Sequence, residues 1–170
     1  GIRIRKSTFM KNDSHPSMYL AKANGNYINS MLALDEAMSK GYDEALLLDS
    51  KGNVAEGSGE NIFMVKDGVL YTPTLVASLN GITRNTIITL AKEQGYDVVE
   101  TTMKIEQLYD ADEVFFTGSA AEVTPIREID DNIIGNGSRG PITEKLQTMY
   151  FDLVHGRLDS NPDRINYVEN

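Results

Sequence analysis

The chain has 170 residues, 41% hydrophobic and 24% charged, which is enough apolar content for one compact domain with its own core. A net charge of −9 argues against nucleic acid, which needs clustered Lys and Arg, and suits a soluble cytoplasmic protein. The absence of cysteine excludes disulfides, zinc–thiolate sites and cysteine nucleophiles.

Only His15 and His155 supply imidazole, far apart in sequence, so a histidine zinc site is not expected. No Gly-x-Ser-x-Gly elbow accompanies them. No apolar run approaches the roughly 20 residues of a membrane span. The basic start, Gly1 to Lys6, has no apolar stretch behind it and is not a signal peptide.

In chain order, residues 1–12 open inside a strand-like pattern, Ile2 and Ile4 alternating with Arg and Lys. That opening reads as a chain cut from something longer. Residues 26–40 predict a helix, with Ile28, Met31, Leu32 and Ala37 at helical spacing and Gly41 as the stop. Residues 44–49 are a short apolar run of strand length. A turn at 50–53 leads to another strand from Val54. Residues 61–65 and 69–72 flank Lys66-Asp67-Gly68, a strong hairpin signal. After Pro73 comes a loop over 75–81, then a helix over 83–94 closed by Gly95.

Residues 96–103 are β-rich and 104–112 predict a short helix. Residues 113–117 form a buried-type strand ending at Gly118-Ser119-Ala120-Ala121. A further strand over 122–129 is broken by Pro125. Residues 130–132 turn into Ile133-Ile134. A last helix covers 142–155, with Pro141 suited to its first turn. The tail from Gly156 is polar. The strands outnumber the helices and come largely in hairpins, so the fold class is α+β and not a regular βαβ sheet.

Four runs could carry chemistry. Lys22 lies in 19–27 among small and apolar residues, with Gly25 permitting an unusual backbone path. By itself it is an ordinary surface lysine. A lysine that forms a Schiff base needs a partly desolvated site, where its amine can be neutral. Glu56 stands at a strand end beside Gly57 and Gly59, which by themselves read as a plain turn. Gly81-Ile82-Thr83-Arg84 precedes a helix. Its free N–H groups can hold a phosphate, and Thr83 can equally be a simple N-cap. Gly118-Ser119-Ala120-Ala121 follows a strand, where small residues let backbone N–H groups meet a ligand or simply make a tight turn.

In this order the runs resemble one family. Lys-Ala-x-Gly-Asn-Tyr (22–27), Glu-Gly-x-Gly-Glu-Asn (56–61), Asn-Gly-Ile-Thr-Arg (80–84) and Phe-x-Thr-Gly-Ser-Ala-Ala-Glu-Val-Thr-Pro (115–125) are similar to the signature runs of branched-chain amino acid aminotransferases. These are class IV aminotransferases that use pyridoxal 5′-phosphate (PLP), fold type IV. The resemblance covers about residues 15 to 155.

The resemblance implies the large C-terminal, PLP-binding domain of the D-amino acid aminotransferase-like fold, a β-barrel-like sheet with flanking helices, spanning residues 1–170. It implies that Lys22 is the Schiff-base lysine and the general acid/base. Tyr27 would hydrogen-bond the cofactor's 3-oxygen and Glu56 would pair with its pyridine nitrogen. Leu79 would pack on the ring. Ile82, Thr83 and Ser119 would hold the phosphate, and the backbone at Ser119 and Ala120 would face the substrate carboxylate. The implied substrates are branched-chain amino and 2-oxo acids with glutamate. The implied partners are an N-terminal domain, which supplies a phosphate-binding arginine and part of the substrate pocket, and a second copy in a homo-oligomer.

Two departures stand out. Ser119 replaces the family's frequent Thr but keeps the hydroxyl, and Leu-Asn-Gly replaces the commoner Leu-Pro-Gly at 79–81. Alternatives within the same chemistry are a D-amino acid aminotransferase or an aminodeoxychorismate lyase, against which Gly25-Asn26-Tyr27 weighs. An alternative of another kind is a non-catalytic binding or assembly domain of the same fold.

Overall fold

The structure, a computed structural model, describes residues 1–11 and 21–158. His15, the residues leading up to Ala21 and the polar tail beyond 158 lie outside the described residues.

Among the described residues, nine strands form one mixed sheet: β1 (Ile2–Lys11), β2 (Glu44–Asp49), β3 (Val54–Gly57), β4 (Asn61–Lys66), β5 (Val69–Pro73), β6 (Val98–Thr101), β7 (Glu113–Gly118), β8 (Glu122–Ile129) and β9 (Asn132–Ile133). Their order is β3-β2-β1-β8-β7-β4-β5-β6, with β9 beside β8. The pairs β1–β2, β1–β8 and β5–β6 are parallel and the others antiparallel. The sheet curls until its ends approach. The Val54 N–H of end strand β3 donates to the Met103 carbonyl just past end strand β6, at 2.9 Å. The expectation of an α+β, barrel-like sheet with flanking helices therefore holds.

Strands β2, β4 and β7 are covered on both faces, which is why they read as continuous apolar runs. Alternate residues of β4 and β7 go to different cores. Ile62, Met64, Val114 and Phe116 point into the curl, with Ile4, Leu46 and Ile126. Phe63, Val65 and Phe115 point out, beneath α2 (Ile82–Glu93) and α4 (Pro141–Val154). A third, smaller cluster joins Ala45 and Leu47 of β2 to Ala33 and Ala37 of α1 (Ile28–Ser39). A short helix, α3 (Ile105–Tyr109), follows β6. Among the described residues no helix is long and apolar enough to cross a membrane.

Three local expectations need correction. The predicted helix over 26–40 begins as a 3-10 turn at Asn24–Tyr27, and its large apolar residues face away from the core. Ile28, Met31 and Leu32 are exposed, whereas Ser30, Ala33 and Ala37 are buried. Only small side chains fit where this helix lies close on β2. Pro125 does not break its strand: it sits opposite Phe115 within β8. β1 joins β8 only from Ile126 onward, so the missing N–H of Pro125 removes no rung on that side. The N-cap of α2 is Gly81, not Thr83. The Asp67-Gly68 hairpin forms as predicted, with φ of 50° and 78°, both in the region a type I′ turn requires.

Candidate functional site

The four motif runs meet at one edge of the sheet. Lys22, Leu79, Ile82, Thr83 and Ser119 line a cleft of about 250 Å³, together with Asn61, Gly81, Thr117 and Gly118. Glu56, Tyr27 and Leu79 line a small adjoining recess of about 20 Å³, so Leu79 separates the two. Ala120 is exposed and is not among the residues lining either.

Lys22 precedes the 3-10 turn, which folds Tyr27 back toward it. The Lys22 ammonium donates to the Tyr27 hydroxyl at 3.0 Å and lies 5.3 Å from the ring centroid. Lys22 is exposed, so the described residues alone do not give it the desolvated setting that Schiff-base chemistry needs.

Glu56, carried by β3, is buried with each oxygen engaged. Oε1 pairs with Lys11 at 2.6 Å, and Oε2 accepts the Leu79 N–H at 2.8 Å and the Asn61 amide at 3.4 Å. A carboxylate has about four lone-pair sites. One therefore remains for a donor such as a protonated ring nitrogen. Lys11, at the end of β1, is a part of this site that sequence reasoning missed, because a single lysine closing a strand carries no motif signal.

The N-terminus of α2 forms the opposite wall. Its cap, Gly81, makes no side-chain cap bond, so the first N–H groups of the helix are left for a ligand. The contrast with α4 is direct: there the Glu113 carboxylate accepts the N–H groups of Ile142 and Thr143 at 3.0 and 2.7 Å. One helix end is neutralised internally and the other faces the cleft. A Cβ at Gly81 would stand 2.2 Å from Asn61 Oδ1, so glycine is required for this approach. The Asn61 amide also donates to the Leu79 carbonyl at 2.8 Å and fixes the loop before the helix. Arg84, almost fully buried, donates to the Pro73 carbonyl at 3.1 Å and pairs with Glu100 at 2.6 Å, tying the first turn of α2 to the end of β5 and to β6.

Close by, Glu60 is pushed up to about 7, first by burial and then by the charge of Glu44; the charge of Lys22 opposes the shift. Burial raises Glu44 as well. Sequence reasoning left Glu60 inside a motif without a role. Its signal was a second acidic residue in a glycine-rich turn.

A curled mixed sheet with a lysine and an uncapped helix N-terminus facing one cleft, and a buried carboxylate beside it, defines a fold that can receive an anionic, carbonyl-bearing ligand. The chain belongs to the class IV aminotransferase family: the family described as Amino-transferase class IV matches residues 4–129. The Pseudomonas aeruginosa branched-chain-amino-acid aminotransferase is 60% identical over 163 residues, covering 96% of this chain and 53% of that protein. Among solved structures, the Escherichia coli branched-chain amino acid aminotransferase matches with a TM-score of 0.90 at 45% identity, covering 94% of this chain and 54% of that one. The Thermobaculum terrenum branched-chain amino acid aminotransferase, in its PLP-form, matches with a TM-score of 0.88 at 41% identity, covering 92% and 52%. The chain thus spans about half the length of the relatives it matches.

Proposed function

We propose that this chain is the lysine-bearing, PLP-binding half of a cytoplasmic branched-chain amino acid transaminase, exchanging amino groups between Leu, Ile or Val and 2-oxoglutarate. The observation that carries this reading is the placement of Lys22 and the uncapped α2 N-terminus on one cleft, with Glu56 and Tyr27 in the recess beside it. The holo-form of the similar Thermobaculum terrenum enzyme, which carries PLP, supports it.

The residues present fit PLP. Gly81 admits an anion to the helix N-terminus, where the N–H groups of Ile82 and Thr83 and the hydroxyls of Thr83 and Ser119 would hold the phosphate. The free lone pair on Glu56 would take the pyridine N–H, and Tyr27 would hold the 3-oxygen. Bound PLP supplies an electron sink for the substrate α-carbon. Lys22 would hold the cofactor and would carry a proton to and from that carbon. Tyr27, within hydrogen-bond reach of Lys22, would orient its amine for that transfer. The exposure of Lys22 supports the further reading that an N-terminal domain covers the site. The exposed Ile28, Met31 and Leu32 of α1 support assembly with a second copy.

The test is to titrate the chain with PLP and follow visible absorbance. A lysine-bound cofactor band that is lost in Lys22→Ala supports the reading. No band in the wild type overturns it for this chain and favours the non-catalytic alternative.

A further inference from the structure

Asparagine followed by glycine occurs at Asn24-Gly25, Asn80-Gly81 and Asn136-Gly137. Such a pair can modify itself: the glycine nitrogen attacks the asparagine side-chain carbon, because glycine has no Cβ to block the approach. All three asparagines are exposed, so access does not separate them. Their hydrogen bonds do. The Gly81 N–H donates to the Leu79 carbonyl at 2.9 Å, and Asn80 Oδ1 accepts the Asn85 amide at 2.9 Å. The Gly137 N–H donates to the Ile134 carbonyl at 2.8 Å. Asn136 Oδ1 accepts the Ser138 N–H at 3.1 Å and the Ser138 hydroxyl at 2.7 Å. In both pairs the attacking nitrogen and the side chain it would attack are held by other partners.

Asn24-Gly25 differs on each count. It opens the 3-10 turn Asn24–Tyr27, in which the Asn26 N–H donates to the Ala23 carbonyl at 3.0 Å. The N–H groups of Asn24 and Gly25 precede that bond and have no carbonyl of the turn to reach. Neither the Gly25 N–H nor the Asn24 side chain has a hydrogen-bond partner among the described residues. The turn has no side-chain cap and buries none of its residues. A Cβ at Gly25 would meet nothing within 4 Å. A single exposed turn of this kind opens at low cost, which frees the backbone rotation that the attack needs. The same turn brings the Tyr27 hydroxyl to 3.0 Å from the Lys22 ammonium.

We infer that Asn24 is a self-modification site, at which the Gly25 nitrogen closes on Asn24 Cγ and the asparagine is deamidated beside Lys22. The N–Cγ bond forms and the Cγ–Nδ2 bond breaks. Nδ2 leaves as ammonia, taking up the proton from the Gly25 N–H. Water then opens the ring in one of two ways. Cleavage of the new N–Cγ bond leaves aspartate on the ordinary backbone. Cleavage of the original peptide bond leaves isoaspartate, whose backbone runs through Cβ and is longer by one carbon. Both products add a negative charge near Lys22. The longer backbone of isoaspartate no longer fits the turn, and so separates Tyr27 from Lys22. The effect on cofactor binding rests on the reading of Lys22 as the cofactor lysine, whereas the modification itself does not.

The experiment ages the full chain in mildly alkaline buffer, both folded and in denaturant, and follows the three sites by peptide mass spectrometry, with aspartate and isoaspartate peptides separated by chromatography. In denaturant the three pairs should react at similar rates. In the folded chain Asn24 should react at least about tenfold faster than Asn80 or Asn136, the ratio that an opening difference of about 1.4 kcal/mol gives. Gly25→Ala should melt at or above the wild-type temperature and lose the reaction at Asn24 alone. Should Gly25→Ala fail to fold, Asn24→Gln, which must close a larger ring, serves in its place. An Asn24 that survives in the folded chain, or reacts no faster than Asn80 or Asn136, overturns the inference. Fresh and aged chains are then titrated with PLP. The isoaspartate fraction should lose most of the lysine-dependent band, while Asn24→Asp, which adds the charge without the extra carbon, retains more of it. An isoaspartate fraction that binds like the fresh chain overturns the link to Lys22. A fresh chain that forms no band overturns the PLP reading, and the peptide map alone then decides the modification.

Discussion

Among the single residues, buried charge holds the site together. Lys11 and Glu56 pair at 2.6 Å with side chains only 12% and 8% exposed. Removing one member of such a pair leaves an uncompensated buried charge, which costs about 3–5 kcal/mol. Lys11→Met should lower unfolding free energy by that order in denaturant titration. Lys11→Met with Glu56→Gln should recover most of it, and a double variant as unstable as the single one would show that the unpaired charge is not the cause of the loss. Glu60 gives a pH prediction. Its carboxyl rises from 4.5 to about 7, chiefly through burial. Between those values the folded chain keeps a proton that the unfolded chain has released. The contribution to stability is therefore complete below about pH 4.5 and lost as pH rises through 7. Glu60→Gln, which cannot ionise, should gain on the wild type in melting temperature at pH 8 relative to pH 5. An equal difference at both pH values would contradict the assignment. Lys22, Tyr27 and Glu56 became candidates through ordered motifs. Lys11 did not, because a cation acquires meaning only from what stands across the fold.

Among the elements, periodicity located the strands and helices well but did not give the inward face of α1. Of the apolar residues at helical spacing, Ala37 is buried while the larger Ile28, Met31 and Leu32 are exposed. The packed side is Ser30, Ala33 and Ala37, because the helix lies close on β2, where Ala45 and Leu47 already fill the space. The prediction is an inverted tolerance. Ala33→Leu should destabilise the chain by about 1–3 kcal/mol through overpacking. Met38→Lys, at an exposed position of the same helix, should change it by no more than about 0.5 kcal/mol, as surface changes do. Denaturation midpoints of the two variants check this. The ends of α2 and α4 make a related point. Both open on glycine, and nothing local separates an N-terminus that Glu113 neutralises from one that faces a cleft.

Taken whole, the chain presents its lysine on an open surface and spans about half the length of its relatives. Much of catalysis lies in positioning reactants and excluding water. The 170-residue chain alone should therefore show no robust valine–2-oxoglutarate turnover in a coupled assay with added PLP, even where it binds PLP. Vigorous turnover would mean that these residues complete the site unaided. Local periodicity, turn chemistry and ordered motifs were enough to read the α+β class, the hairpin at Asp67-Gly68, the helix boundaries within a few residues and the family. They were not enough for which helix end is open, which face of α1 is buried or that Lys11 compensates Glu56. Each of these depends on residues distant in the chain, brought together by a sheet whose neighbouring strands are not sequential.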